Sequence, residues 1–136
     1  MDPGVEIEID DLKAYNKGYV TLFLDGYNNN GFVFNGNTFQ SDEVSRANIS
    51  GSATLAIILL QKGFDFPSTF TWRTKDNQDV SINAAGIISM GTALFTFLSG
   101  NYLNSFTHKT AIDNLTTIQD LINYDITTGW QGIYPW

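Results

Sequence analysis

Between residues 5 and 11 apolar and acidic side chains alternate, with Val5, Ile7 and Ile9 set against Glu6, Glu8 and Asp10. That period of two predicts a strand with one buried and one acidic face, and the acids would discourage unwanted edge pairing. Tyr19 to Leu24 is a second β-prone run, closed by Asp25-Gly26 as a turn, and Asn28 to Gly31 reads as a loop. Phe32-Val33-Phe34 and Asn37-Thr38-Phe39 then flank Asn35-Gly36. Asn-Gly between short apolar runs predicts a hairpin, because both turn positions need positive φ.

After Ser41-Asp42-Glu43 the pattern turns helical, with either Ser41 or Asp42 as the cap and the acids suiting a positive helix N-terminus. Ala47, Ala53 and the run Leu55 to Leu60 supply apolar residues on two faces, so this helix is expected to be nearly enclosed, with Gly63 as its stop. Phe70 to Thr74 and Val80 to Asn83 predict a second hairpin across Lys75-Asp76-Asn77-Gln78-Asp79. Asn83 opens the longest helix, running to about Asn114, with Ile87, Gly91, Leu94, Leu98 and Tyr102 along one side. Straight, it would span about 45 Å, so it should either break near Gly100 or protrude onto a partner. Thr116-x-x-Gln119 has the form of a capping box leading into a last helix with Ile118, Leu121 and Ile122. The expected fold class is therefore α+β: two small β-hairpins and an N-terminal strand region packed with two longer helices and one short C-terminal helix. Residues 1–31 form an acidic β segment suited to be a partner-binding arm, and residues 32–136 the α+β domain.

Composition narrows the function. The 136 residues are 43% apolar and 15% charged, enough apolar content for one globular core. Fourteen acids against seven bases give a net charge of −7, which disfavours nucleic acid and anionic membranes as partners. Five of the acids fall within the first eleven residues, and that acidic start does not read as a secretory signal. From Val80 to Thr107 there is no charge at all, but the dense apolar part is short and interrupted by Ser89, Gly91, Thr92 and Thr96. A buried helix is expected there rather than a membrane span.

No catalytic template fits. The chain has no cysteine and one histidine, His108, which has no acid or second histidine one helical turn away and is expected at a surface or interface. Glu6, Glu8, Asp10 and Asp11 cluster on what reads as a solvated face, and the 75–79 turn lacks the glycine and terminal glutamate of a calcium loop. No catalytic residue, metal ligand or cofactor is therefore expected. Three tryptophans, six tyrosines and ten phenylalanines exceed what one small core requires. Tyr134 and Trp136, with Trp130, are candidates for a protein or sugar contact. Leu94, Leu98 and Tyr102 are candidates on the uncharged helix, and Val5, Ile7 and Ile9 on the strand, through pairing with a neighbour's sheet edge.

Phe70-x-Trp72-Arg73-Thr74-x-Asp76-Asn77-Gln78-Asp79-Val80, followed by Asn83-Ala84-Ala85, Tyr102 and Lys109-x-x-Ile112, resembles a domain of tailed-phage tail-fibre and tail-fibre-assembly proteins. Phe34-Asn35-Gly36-x-x-Phe39 and Asp125-Ile126-Thr127-x-Gly129-Trp130 fit the same pattern, so the resemblance covers about residues 32–130. It implies a non-enzymatic phage protein of the virion tail, or of the host cytoplasm during assembly. Its partner would be a tail-fibre or baseplate protein in an oligomeric assembly such as a trimer. The leading expectation is an accessory that caps, chaperones or adapts the fibre end, ahead of a baseplate linker or a glycan-binding tip. The family brings no site residues. Within its strongest motif, Trp72 is expected to plug the hairpin onto the helices, with Arg73 facing Asp76 or Asp79 across the turn. Asn35 and Gly36 make the other structural turn.

Overall fold

Asn83 starts the helix that organises the molecule: its side chain accepts a hydrogen bond from the Gly86 N–H at 2.8 Å. The computed structural model describes residues 7–136, so Val5 of the expected strand lies outside the described residues. In chain order the elements are α1 (Ile9–Asn29), β1 (Phe32–Phe34), β2 (Asn37–Phe39), α2 (Glu43–Gln61), β3 (Thr71–Arg73), β4 (Asp79–Ser81), α3 (Ala84–Asp113) and α4 (Ile118–Asn123). The fold is α+β, with four helices and two antiparallel hairpins among the described residues.

α3 neither breaks at Gly100 nor stands free. Two helices cover its successive halves, both antiparallel to it. α1 lies along the second half, from Lys17 Nζ on Asp113 Oδ1 at 2.8 Å to Asn28 on Asn101 at 2.9 Å. α2 lies along the first half, where Gly91 lets Ala53 approach closely. The buried residues of α3 run from Ala84, Ile87 and Met90 through Leu94, Phe97 and Asn101 to Ser105, His108 and Ile112. This is one stripe at intervals of three and four. Two apolar clusters result. Phe32, Phe39, Ile49, Ile87, Met90 and Leu94 belong to the first, and Val20, Ile112 and Leu121 form the second. Burying an aliphatic side chain of this size contributes about 1.5–3 kcal/mol, and Ile87→Ala would cost about 2–5 kcal/mol.

The largest correction concerns the N-terminus. Ile9 and the Tyr19 to Leu24 run are helical, and Ile7 precedes the helix as exposed chain. The alternation around residues 7–10 is only one turn long. Over 21 residues the spacing of Ile9, Leu12, Asn16, Val20, Leu24 and Tyr27 is helical, and these positions face the rest of the chain. α2 is also more open than expected: only Ile49 and Ala56 are buried, while Leu55, Ile57, Ile58 and Leu60 are exposed. One flanking helix is enough to cover one stripe, not two. The last helix is capped one residue late, by Thr117, whose hydroxyl accepts from the Asp120 N–H at 3.1 Å.

The hairpin signals hold. Asn35 and Gly36 take φ of 49° and 78°, closing a two-residue turn with Phe32 opposite Phe39. Trp72 pairs with Val80 and packs against the first cluster, and Arg73 meets Asp79 through two nitrogens at 3.1 and 3.2 Å. Both partners are exposed, so this bridge contributes little. Asp76 instead accepts from the Thr74 hydroxyl. At the end of α2, Gly63 has φ of 78°, and the Phe64 N–H reaches back to Leu59 O at 2.9 Å, a Schellman stop.

Candidate interaction surface

The C-terminal segment, residues 124–136, folds back over the junction of α1 and α3. Asn101, fully buried, donates to Asn28 Oδ1 at 2.9 Å and to Gln131 O at 3.2 Å, and accepts from Gln131 N at 2.8 Å. Asn104 and His108 both donate to Thr128 O, at 2.9 and 2.8 Å. Asn30 donates to Ile133 O and Tyr134 O at 3.1 Å.

His108 is 4% exposed, not at the surface as expected. Its Nε2 must carry a proton to donate to Thr128 O, which assigns that tautomer from partner chemistry, and Nδ1 meets the Tyr124 hydroxyl at 2.7 Å. Burial, with the Asp125 charge adding to it, pushes the Tyr124 phenol above its ordinary value. The Thr127 hydroxyl and N–H hold the Asp125 carboxyl below its own. With both ring nitrogens engaged, His108 is a positioning group for the strap rather than a base facing a cleft.

Of the three candidate aromatics near the C-terminus, Trp130 is internal. Trp130 stacks between Tyr27, 5.8 Å away and 7° from parallel, and His108 at 5.7 Å, and its indole N–H reaches Ile126 O at 2.8 Å. Trp136 leans on Phe23 at 4.8 Å and closes over Gly26, and Tyr134 leans on Tyr27 at 6.4 Å. Tyr134 and Trp136 still show more than half their surface. Leu94, expected on a partner surface, is core, and Leu98 packs against the core. Tyr102 is exposed. Ile9 packs on the second cluster, so a strand edge at residues 7–11 has no place among the described residues.

A cleft of about 540 Å³ lies between the hairpins, walled by Phe34, Phe66 and Phe70. Its carboxylate, Asp65, is committed to the main chain, accepting from Phe66 N at 2.6 Å and Ala84 N at 2.8 Å. Among the described residues no group of three or more histidines and acids is placed to hold a metal ion.

What remains open is apolar and uncharged. From Ala47 to Gln61, α2 carries no charge and exposes Leu55, Ile57, Ile58 and Leu60. From Ala84 to Thr107, α3 carries none and exposes Phe95, Tyr102, Leu103 and Phe106, with Phe95 at 71%. α3 is long and apolar enough to cross a membrane by length and composition, at a mean hydropathy of 1.2, but one stripe of it is already buried against α1 and α2. Sequence reasoning missed the α2 face because it assumed those residues were enclosed.

No curated protein and no solved structure matches the chain. A family matches over residues 13–128, from within α1 to the fold-back beyond α4. That family is described as Domain of unknown function (DUF4376), and the chain belongs to it.

Proposed function

We propose that this protein is a non-enzymatic accessory of a tailed-phage tail fibre, one that caps, chaperones or adapts the fibre end. The reading draws on the Trp72-Arg73-Thr74-x-Asp76-Asn77 and Asp125-Ile126-Thr127-x-Gly129-Trp130 resemblance. The observation that carries it furthest is the outer side of α2. Leu55 and Ile58 sit one turn apart, Ile57 and Leu60 are exposed on the same helix, and fifteen consecutive residues around them are uncharged. Exposed apolar residues gathered on one element mark a protein contact more often than a lone exposed leucine does. The partner is a fibre or baseplate protein, met in the host cytoplasm during assembly or in the virion tail.

Co-expression with the neighbouring fibre protein tests the reading. The fibre should be soluble and trimeric with the wild-type chain and insoluble without it, and the double variant Leu55→Glu, Ile58→Glu should behave like the omission. Both side chains are exposed, so the variant keeps its fold. A fibre that trimerises equally well in all three cases would sink the proposal.

A further inference from the structure

We propose that two copies of this chain pair antiparallel through the outer face of α3. On that face, positions 85, 89, 92, 96, 99, 103, 106 and 110 follow one another at alternating intervals of four and three. That is the spacing of a two-helix seam, on the side away from α1 and α2, with the small hydroxyl residues Ser89, Thr92, Thr96, Ser99 and Thr110 at five of the eight positions, so a second helix can approach closely. Ser99 is half-buried and the other seven positions are exposed, yet none carries a charge. A solvated helix face normally carries charge, and this one has none over 26 residues of a chain whose net charge is −7. Two such chains repel unless they meet on an uncharged surface.

The distribution of side-chain size selects the direction and the occupant. The first half of the seam is small, with Ala85, Ser89 and Thr92, and the second half is bulky, with Leu103 and Phe106. The positions are symmetric about the point between residues 97 and 98. An antiparallel copy therefore sets Phe106 over Ser89 and Leu103 over Thr92, large against small on both sides of a two-fold axis, with the small pair Ser99 and Thr96 at its centre. A parallel copy would set Phe106 against Phe106 and leave a gap at Ser89. The strip is about 38 Å long. With Phe95 and Tyr102 flanking it at about 15 Å width, it covers on the order of 600 Å² on each copy, which meets the lower range for a specific interface of about 1,200 Å² in all. The pairing rests on this face alone and not on the tail-fibre reading, whose partner sits on α2.

The test uses the purified full chain without lipid or partner. Sedimentation equilibrium should give a dimer, and Phe106→Glu, an exposed change, should give a monomer with an unchanged circular dichroism spectrum. Because the chain has no cysteine, introduced ones report cleanly. Mixing Thr92→Cys chains with Leu103→Cys chains under mild oxidation should yield mostly disulfides between the two variants. A wild-type monomer at 0.1 mM would overturn the proposal, whether or not it floats with phosphatidylcholine vesicles or captures another protein. So would disulfides that join each variant mainly to itself, or a Phe106→Glu chain that remains dimeric.

Discussion

Asn101 on α3 holds Asn28 on α1 through an amide hydrogen bond of 2.9 Å that spans 73 residues of sequence. The same side chain grips Gln131 by both main-chain groups, so one buried amide ties three segments. Asn101→Ala should cost about 2–4 kcal/mol, because it strands the buried Asn28 amide oxygen and the part-buried main chain of Gln131. A shift of the urea midpoint at constant slope would show it. A loss below about 0.5 kcal/mol would mean that water replaces the amide.

Trp130 carries the fold-back mechanically. Removing a half-buried indole stacked on Tyr27 and His108 should cost about 2–3 kcal/mol in Trp130→Ala, somewhat below a fully buried tryptophan. Residues 124–136 should then become open to limited proteolysis while α2 stays protected. Uniform loss of protection would show that the strap and the core are one cooperative unit.

The Tyr124 phenol ionises above its ordinary value of 10.0 in the folded chain, chiefly because it is buried. Stability from this group is fully present below pH 10 and is lost as pH rises through the higher folded value. Melting temperature should therefore fall on the alkaline side, and Tyr124→Phe should flatten that fall. The variant should also lose about 1 kcal/mol at neutral pH with the His108 hydrogen bond. An unchanged alkaline slope would place the cause in another group.

Two glycines with positive φ should respond differently to alanine. At Gly36 the added methyl meets open space, and the cost is about 1 kcal/mol of backbone strain. At Gly132 it would lie 2.6 Å from the Phe97 ring and 2.9 Å from the Gly31 carbonyl oxygen, a backbone atom, so about 3–5 kcal/mol is expected. Equal thermal shifts for the two variants would contradict the packing of the strap against residue 31.

Signals that act within four residues were legible in the sequence. Asn35-Gly36, the Asn83 cap and the Gly63 stop each satisfy a local backbone need, and each stands where the pattern put it. What failed depended on partners distant in sequence. The alternation that reaches Ile9 and Asp10, and the run Tyr19 to Leu24, look like strands in short windows, but α3, some ninety residues on, supplies a surface that suits the longer helical period. Asn101, His108 and Asn30 gave no warning of their roles, because an amide or imidazole that ties loops together has no spacing rule. The candidate surface was half legible. Tyr102 is exposed as expected and Leu94 is not, since an apolar helix shows its period but not which side its neighbours will cover.

The separation of the two apolar clusters sets an order on synthesis. Phe32, Ile49, Ile87 and Leu94 are all made by residue 94 and can come together while the chain is still growing. Val20 must wait for Ile112 and Leu121, so α1 emerges early and spends about a hundred residues of elongation without the surface it packs on. A chain stopped after residue 98, short of the half of α3 that α1 lies along, should protect the amides of α2 from hydrogen exchange and leave those of α1 open. During that interval α1 is the segment a chaperone would find, and α3, when it arrives, is what takes it back.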